Sequence, residues 1–277
     1  MKDKIFIAYP NCLINKYYPE YQSFYDDFTQ KTKGFCKLAT IDISDIWLRD
    51  FLPLQNIKTK EKFLFFYEPI YKTKEYKNLY MALRKEAKAK FPKATNLPIY
   101  LDGGNFIFNK KGTGILLKNK NLFKTKSCQE ITKILKQKFS LKQIIYLPSL
   151  PVNYDPFCHI DGLIQFLGDD ILCINSPYDK LTEKHLKKCL DILGNQFKIV
   201  FLPTEVNPKE TLSAKGVYVN FLEVSKAVFM PKYNLHSDIK AQKIIQKYTK
   251  KPVIKIDCSQ ITKYGGSLHC LTQNYIV

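Results

Sequence analysis

One kind of segment returns five times along this chain. DIWLRDFLP, YLDGGNFIF, DPFCHIDGL, GVYVNFLEV and GGSLHCLTQ each come after a hydrophobic run rich in β-branched residues, and each is richer in polar residues or glycine. With Asp50, Asn105, His159, Asn220 and Cys270 as markers, the intervals are 55, 54, 61 and 50 residues, and a fifth of the 277-residue length is about 55 as well. A fixed period of this size is the signature of a repeat architecture, in which neighbouring units bury one another's apolar faces. Five such units closed on themselves would bring all five polar segments to one shared axis. No linker rich in Gly, Ser or Pro interrupts the series, so residues 1–277 read as a single α/β domain with pseudo-fivefold symmetry.

Within each unit the chain alternates strands and helices. Strand candidates are KIFIAY, FCKLATIDI, KFLFFYEPI, LPIYLDGG, GILLKN, QIIYLPSL, ILCIN, FKIVFLP, AVFMPKY and PVIKID. Amphipathic periodicity predicts helices over PEYQSFYDDFTQK, EYKNLYMALRKEAKAKF, SCQEITKILKQKF, TEKHLKKCLDILG and SDIKAQKIIQKYTKK. Hydrophobic residues at 45% and aromatics at 14% supply a substantial core and argue against disorder. The N-terminal apolar run, IFIAY, is too short for a signal peptide. No stretch approaches the roughly 18 apolar residues of a membrane span, so a cytoplasmic protein with no membrane partner is expected. Eight cysteines without a CxxC pair then read as reduced thiols.

The net charge of +19 raises the question of a polyanionic partner. Of 44 basic residues only Arg49 and Arg84 are arginine, the residue on which base and phosphate recognition mainly relies. The lysines spread over the whole chain and read as a solvated surface. Nucleic-acid binding through that surface is the second reading. His185 and His236, on or beside lysine-rich helical stretches, are expected to be solvated.

The polar segments contribute Asp50, Asp102, His159, Asp161, Asn220 and Cys270. If HID is extended, His159 and Asp161 face one side and Cys158 the other, and the same rule separates His269 from Cys270. A Cys2His2 zinc site from Cys158, His159, His269 and Cys270 is therefore disfavoured. The alternative is a cysteine, a histidine and several carboxylates around one cavity. A thiolate can attack while a histidine moves protons. Carboxylates beside it would raise the thiol pKa, which suits a cationic substrate: a planar guanidinium pairs with carboxylates bidentately and its charge then favours the thiolate.

IWLRDFLP, LDGGNFIFNKKGTG, CHIDG, YVNF and GGSLHCLTQ together resemble, in order from about Asp45 to Gln273, the motifs of the agmatine deiminase and bacterial peptidylarginine deiminase family. The resemblance implies the pentein fold, a five-bladed ββαβ propeller with guanidine-modifying chemistry at its centre. It implies that Cys270 is the nucleophile, His159 the general acid/base, and Asp50 and Asp161 the guanidinium-binding carboxylates. Asp102, Asn220, Trp47 and Asn105 would complete the substrate pocket, with Trp47 either an aromatic wall or core packing. Neither a metal nor an organic cofactor is implied. Two positions depart from the family pattern: Asp102 stands where glutamate is usual, and RDFLP replaces RD-x-GP.

For the substrate, the expectation is agmatine, converted to N-carbamoylputrescine and ammonia, with peptidyl-arginine as the alternative. A carboxylate-bearing substrate is commonly clamped by arginine. Arg49 lies inside the Asp50 motif and Arg84 on a helix away from the polar segments. Asp45, Asp155 and Glu223 are candidates for the distal ammonium of agmatine.

Overall fold

The computed structural model describes residues 3–69, 74–206 and 212–277. Strand β1 (Asp3–Ala8), helices α1 (Cys12–Tyr17) and α2 (Tyr21–Thr32) and strand β2 (Lys37–Ile41) come first. A single helical turn, α3 (Leu48–Phe51), leads into β3 (Leu54–Gln55), β4 (Lys62–Phe66), α4 (Lys74–Lys90) and β5 (Thr95–Tyr100). The next unit runs β6 (Ile107–Phe108), β7 (Thr113–Lys118), α5 (Cys128–Phe139) and β8 (Gln143–Pro148). It is followed by β9 (Ile164–Leu167), β10 (Ile171–Asn175), α6 (Lys180–Leu193) and β11 (Lys198–Leu202). The last stretch holds β12 (Leu222–Glu223), β13 (Val228–Lys232), α7 (Ser237–Tyr248), β14 (Val253–Asp257) and β15 (Thr272–Ile276).

These strands form five three-stranded sheets of one pattern. The middle strand pairs antiparallel with the strand before it and parallel with the strand reached through the helix, as in β6–β7–β8. Parallel neighbours require such a crossover, and the helix supplies it. In the first sheet the antiparallel partner of β1 is β15, with Ile5 opposite Asn274. The C-terminal strand thus completes the N-terminal unit and closes the ring.

Local sequence explains the elements. The middle strands read as continuous apolar runs because both faces are covered; β7 is buried from Thr113 to Leu117. Helix α5 begins at a capping box, Ser127 with Glu130, and α6 at another, Asp179 with Thr182. In α2, Tyr21, Phe24, Phe28 and Thr32 form the buried stripe expected of a helix on a sheet. Apolar side chains then pack across unit boundaries. Phe63, Leu97, Leu116 and Phe139 join the second and third units, and Ile115, Ile164, Leu172 and Leu193 the third and fourth.

All ten strand candidates contain a strand, most with shifted ends; Ile70, the last residue of one of them, lies outside the described residues. The five antiparallel partners β3, β6, β9, β12 and β15 were not foreseen, and three of them are only two residues long. These short strands anchor the polar side chains, because each recurring polar segment ends in, or runs directly into, one of them. The α3 turn contacts the turn at Gly103–Asn105, which contacts the turn at Ile160–Gly162, so these segments meet. Among the described residues no helix is long and apolar enough to cross a membrane.

Candidate active site

Five short connections place the polar side chains. Asp50 sits on α3, Asp102 at the start of the 3-10 turn Gly103–Asn105, and His159 and Asp161 around the 3-10 turn Ile160–Gly162. Asn220 lies just before β12 and Cys270 in the turn before β15. All six side chains are buried.

Gly104 shows how tightly they converge. Its N–H donates to Asp50 Oδ1 at 3.1 Å. A Cβ on this residue would lie 2.6 Å from Asp50 Oδ1, 3.0 Å from His159 Nδ1 and 3.3 Å from Asp161 Oδ1. A side chain there would force the Asp50 carboxylate to shift and press on His159 and Asp161, so the second glycine of DGGN leaves room for three polar groups at once. Gly266 has a similar steric role, since a Cβ there would run into the Trp47 ring.

His159 is held at both nitrogens, by Asp102 Oδ2 at 3.0 Å from Nε2 and by Asp50 Oδ1 at 3.5 Å from Nδ1. Burial opposes its charge, but Asp50 and Asp102 outweigh that and raise the imidazole to about 10. At neutral pH it is an imidazolium. Burial, opposed by the His159 charge and reinforced by Asp102 and Asp161, lifts Asp50 to about 7. Burial would also raise Asp161, but the hydrogen bond from His269 and the charges of His159 and Arg49 hold it below the usual carboxylate value.

Cys270 is reached by Asn220. Nδ2 of Asn220 donates to Sγ at 3.2 Å, and its Oδ1 accepts from the backbone of His269 and Cys270 at 2.9 and 3.4 Å. Asp161 Oδ2 lies 3.6 Å from the same sulfur. Burial, then Asp161 and Asp50, push the thiol well above its ordinary value. The thiol is therefore protonated, and a cation resting on Asp50 and Asp161 would remove the field that keeps it so.

A cavity of about 160 Å³ opens onto Cys270, His159 and Asp161. Its described lining contains Asp155 and Asp161 and not one lysine or arginine. Asp155 Oδ1 accepts the N–H groups of Phe157 and Cys158. Of the other two candidates for a distal ammonium, Asp45 accepts from the Tyr18 hydroxyl and the Ile46 N–H. Glu223 is paired with Lys251 at 2.7 Å and borders a different cavity.

Several expectations need correction. His159 and Asp161 are arranged by a 3-10 turn rather than a strand. His269 and Cys270 do not point apart: both approach Asp161 Oδ2, because residues 268–271 form a turn in which strand alternation does not apply. Among the predicted site residues, Asp50, Asp102, Asn105 and Trp47 do not line the described cavity: Asp50 and Asp102 contact His159 instead, and the Trp47 ring takes its core-packing alternative, against Gly266 and edge-on to Tyr18 at 6.2 Å. The Asn105 amide is consumed by both backbone groups of Leu117. His185 is buried, with Nε2 2.8 Å from the Pro148 carbonyl, while His236 is exposed. Cys158 turns its sulfur to the Asp155 carbonyl at 3.2 Å, so it does not share a pole with His159. Arg49 and His269 are both buried, and sequence considers them only as a carboxylate clamp and a zinc ligand, not as neighbours of Asp161; the glycine pair before His269 is the signal of a turn.

Known proteins resemble this chain in sequence and in fold. The family model for Porphyromonas-type peptidyl-arginine deiminases matches residues 13–275. An agmatine deiminase from Pseudomonas fluorescens is 26% identical over 208 residues, which cover 62% of this chain and 56% of that protein. The chain thus spans little more than half the length of the curated relatives it matches. Among solved structures, C. jejuni agmatine deiminase superposes with a TM-score of 0.76 at 21% identity, covering 99% of this chain and 93% of that one. DDAH from Pseudomonas aeruginosa gives 0.64 at 11% identity, covering 99% and 100%. The architecture is the pentein fold.

Proposed function

Because the chain belongs to the Porphyromonas-type peptidyl-arginine deiminase family, we propose that residues 1–277 form a single catalytic domain that deiminates a small cationic guanidino compound through Cys270. One observation carries this reading. A buried thiol and an imidazolium share with Asp155 and Asp161 a cavity whose described lining is free of lysine and arginine, and Asp50 and Asp102 hold that imidazolium, in a protein of net charge +19.

The guanidinium docks on Asp50 and Asp161, and its charge lowers the Cys270 pKa so that the thiol proton leaves to solvent. The thiolate adds to the guanidinium carbon. His159 protonates one amino group of the tetrahedral adduct, the C–N bond breaks, and ammonia departs from an amidino-thioether. Now neutral, His159 takes a proton from water, whose oxygen bonds to the same carbon. Collapse of that second adduct breaks the C–S bond, and the hydroxyl proton returns to the departing sulfur. A ureido product and the starting thiol remain. No step calls for a metal or organic cofactor.

Agmatine is the substrate this cavity fits best. Free arginine and C-terminal arginine bring a carboxylate for which the described lining offers no lysine or arginine, whereas the ammonium of agmatine finds Asp155 in that lining. The likeness to proteins named agmatine deiminase supports the same choice. The test compares kcat/KM for agmatine, free arginine and a blocked arginine peptide by ammonia release. Agmatine should lead by at least about tenfold, or about 1.4 kcal/mol in transition-state binding. A comparable lead for either arginine substrate would overturn it. Cys270→Ser should lower turnover by on the order of 10³-fold or more; unchanged ammonia release would sink the covalent mechanism.

A further inference from the structure

His269 is the second histidine at the centre of the molecule, and the deimination steps make no use of it. Its Nδ1 lies 2.7 Å from Asp161 Oδ2, the shortest polar contact that Asp161 makes. Beneath it, Arg49 donates from Nε to the His269 carbonyl at 3.3 Å and from Nη2 to Asn274 at 2.9 Å. The Arg49 N–H also donates to the Cys270 carbonyl at 3.1 Å. Asp161 Oδ1, in contrast, is buried and has no hydrogen-bond partner. It is the oxygen that faces Gly104, alongside Asp50 Oδ1 and His159 Nδ1.

We infer that His269 is a positioning residue: as a neutral imidazole it donates its Nδ1–H to Asp161 Oδ2, fixing that carboxylate as an anion with Oδ1 alone presented to the substrate guanidinium. The inference rests on the reading of the site as a guanidinium pocket. The chemistry of the neighbours dictates the charge state. A protonated His269 would face the Arg49 guanidinium, held against its own backbone carbonyl. Burial first, and then Arg49, push its pKa down to about 4. An imidazolium at this place would also cancel the Asp161 charge that a cationic substrate needs. A neutral ring supplies the donor without that cancellation. With Oδ2 occupied, rotation of the carboxylate about its Cβ–Cγ bond would break a buried hydrogen bond, so one orientation is kept.

The test has two arms. In wild-type protein labelled with 15N-histidine, His269 should be the neutral Nδ1–H tautomer throughout pH 5–8. An imidazolium or an Nε2–H tautomer would overturn the inference, and this arm needs no turnover. In the second arm, H269N and H269A are assayed with the preferred guanidino substrate, together with melting temperatures. Asparagine retains a side-chain N–H near the Nδ1 position. H269A should lose about 10- to 100-fold in kcat/KM, as expected for a lost hydrogen bond to a charged group. H269N should keep at least about ten times more activity than H269A. Equal loss in two folded variants would overturn the inference. If the wild type acted on no guanidino compound at all, the functional reading would fall, while the tautomer would still report on His269.

Discussion

At the scale of single residues, the site works by arranging which groups hold protons before substrate arrives. Cys270 is not unusual among the buried thiols in having a raised pKa, since burial raises Cys158 to about 11 and Cys173 and Cys189 to about 12. What sets it apart is a pair of carboxylates whose effect a bound cation would reverse. The sign of the pH dependence comes from two other groups. Asp50, raised to about 7, takes up a proton as pH falls through that value and then attracts a guanidinium less. His159, raised to about 10, keeps the proton that the proposed mechanism has it donate until pH rises through that value. A profile of kcat/KM against pH should therefore be bell-shaped, with an acid limb near 7 and an alkaline limb near 10. Asp50→Asn should remove the acid limb along with much of the activity. A flat profile from pH 5 to 9 would contradict these assignments.

At the scale of elements, the parts readable from sequence were those with an apolar signal of their own. The middle and parallel strands and the five crossover helices announce themselves as β-branched runs or amphipathic stretches. β3, β6 and β12 are too short for periodicity, and β15, TQNYI, is too polar to resemble a buried strand. Those are the strands that border the site, so the motif residues were legible while their mutual geometry was not. Strand alternation groups His159 with Asp161, as the 3-10 turn does for a different reason, but it separates His269 from Cys270, which the turn before β15 brings to the same carboxylate oxygen. The distinction between framing elements and site-building turns can be measured. Ser127→Ala removes the cap of α5, which does not line the described cavity, and should cost about 1 kcal/mol, or roughly 2–4 °C in Tm, with kcat/KM unchanged. Gly104→Ala should reduce kcat/KM by about 100-fold or more, because its methyl group would displace Asp50 and His159. Overpacking there should destabilise the protein by about 1–3 kcal/mol as well. Thermal melts and steady-state rates on both variants separate the two kinds of position.

At the scale of the whole molecule, two charge distributions of opposite sign meet. The chain carries a net charge of +19, nearly all its basic residues being lysine, while the described lining of the cavity holds Asp155 and Asp161 with no lysine or arginine. A dication such as agmatine is repelled at long range and attracted at short range, and ionic strength decides how far each effect reaches. A compact chain of this length has a radius of gyration of about 19 Å. At about 10 mM salt the screening length is about 30 Å, so the full surface charge opposes approach. At about 0.1 M it shrinks to about 10 Å, and a substrate at the cavity mouth senses mainly the nearest groups. Raising salt over this range should therefore increase kcat/KM for agmatine several-fold. The increase should be smaller for free arginine, whose carboxylate halves the net charge being repelled. If kcat/KM for agmatine fell steadily instead, the acidic cavity would govern approach at every distance. The lysine surface would then need another explanation, and a salt-sensitive gel shift with RNA at submicromolar protein would be the next measurement.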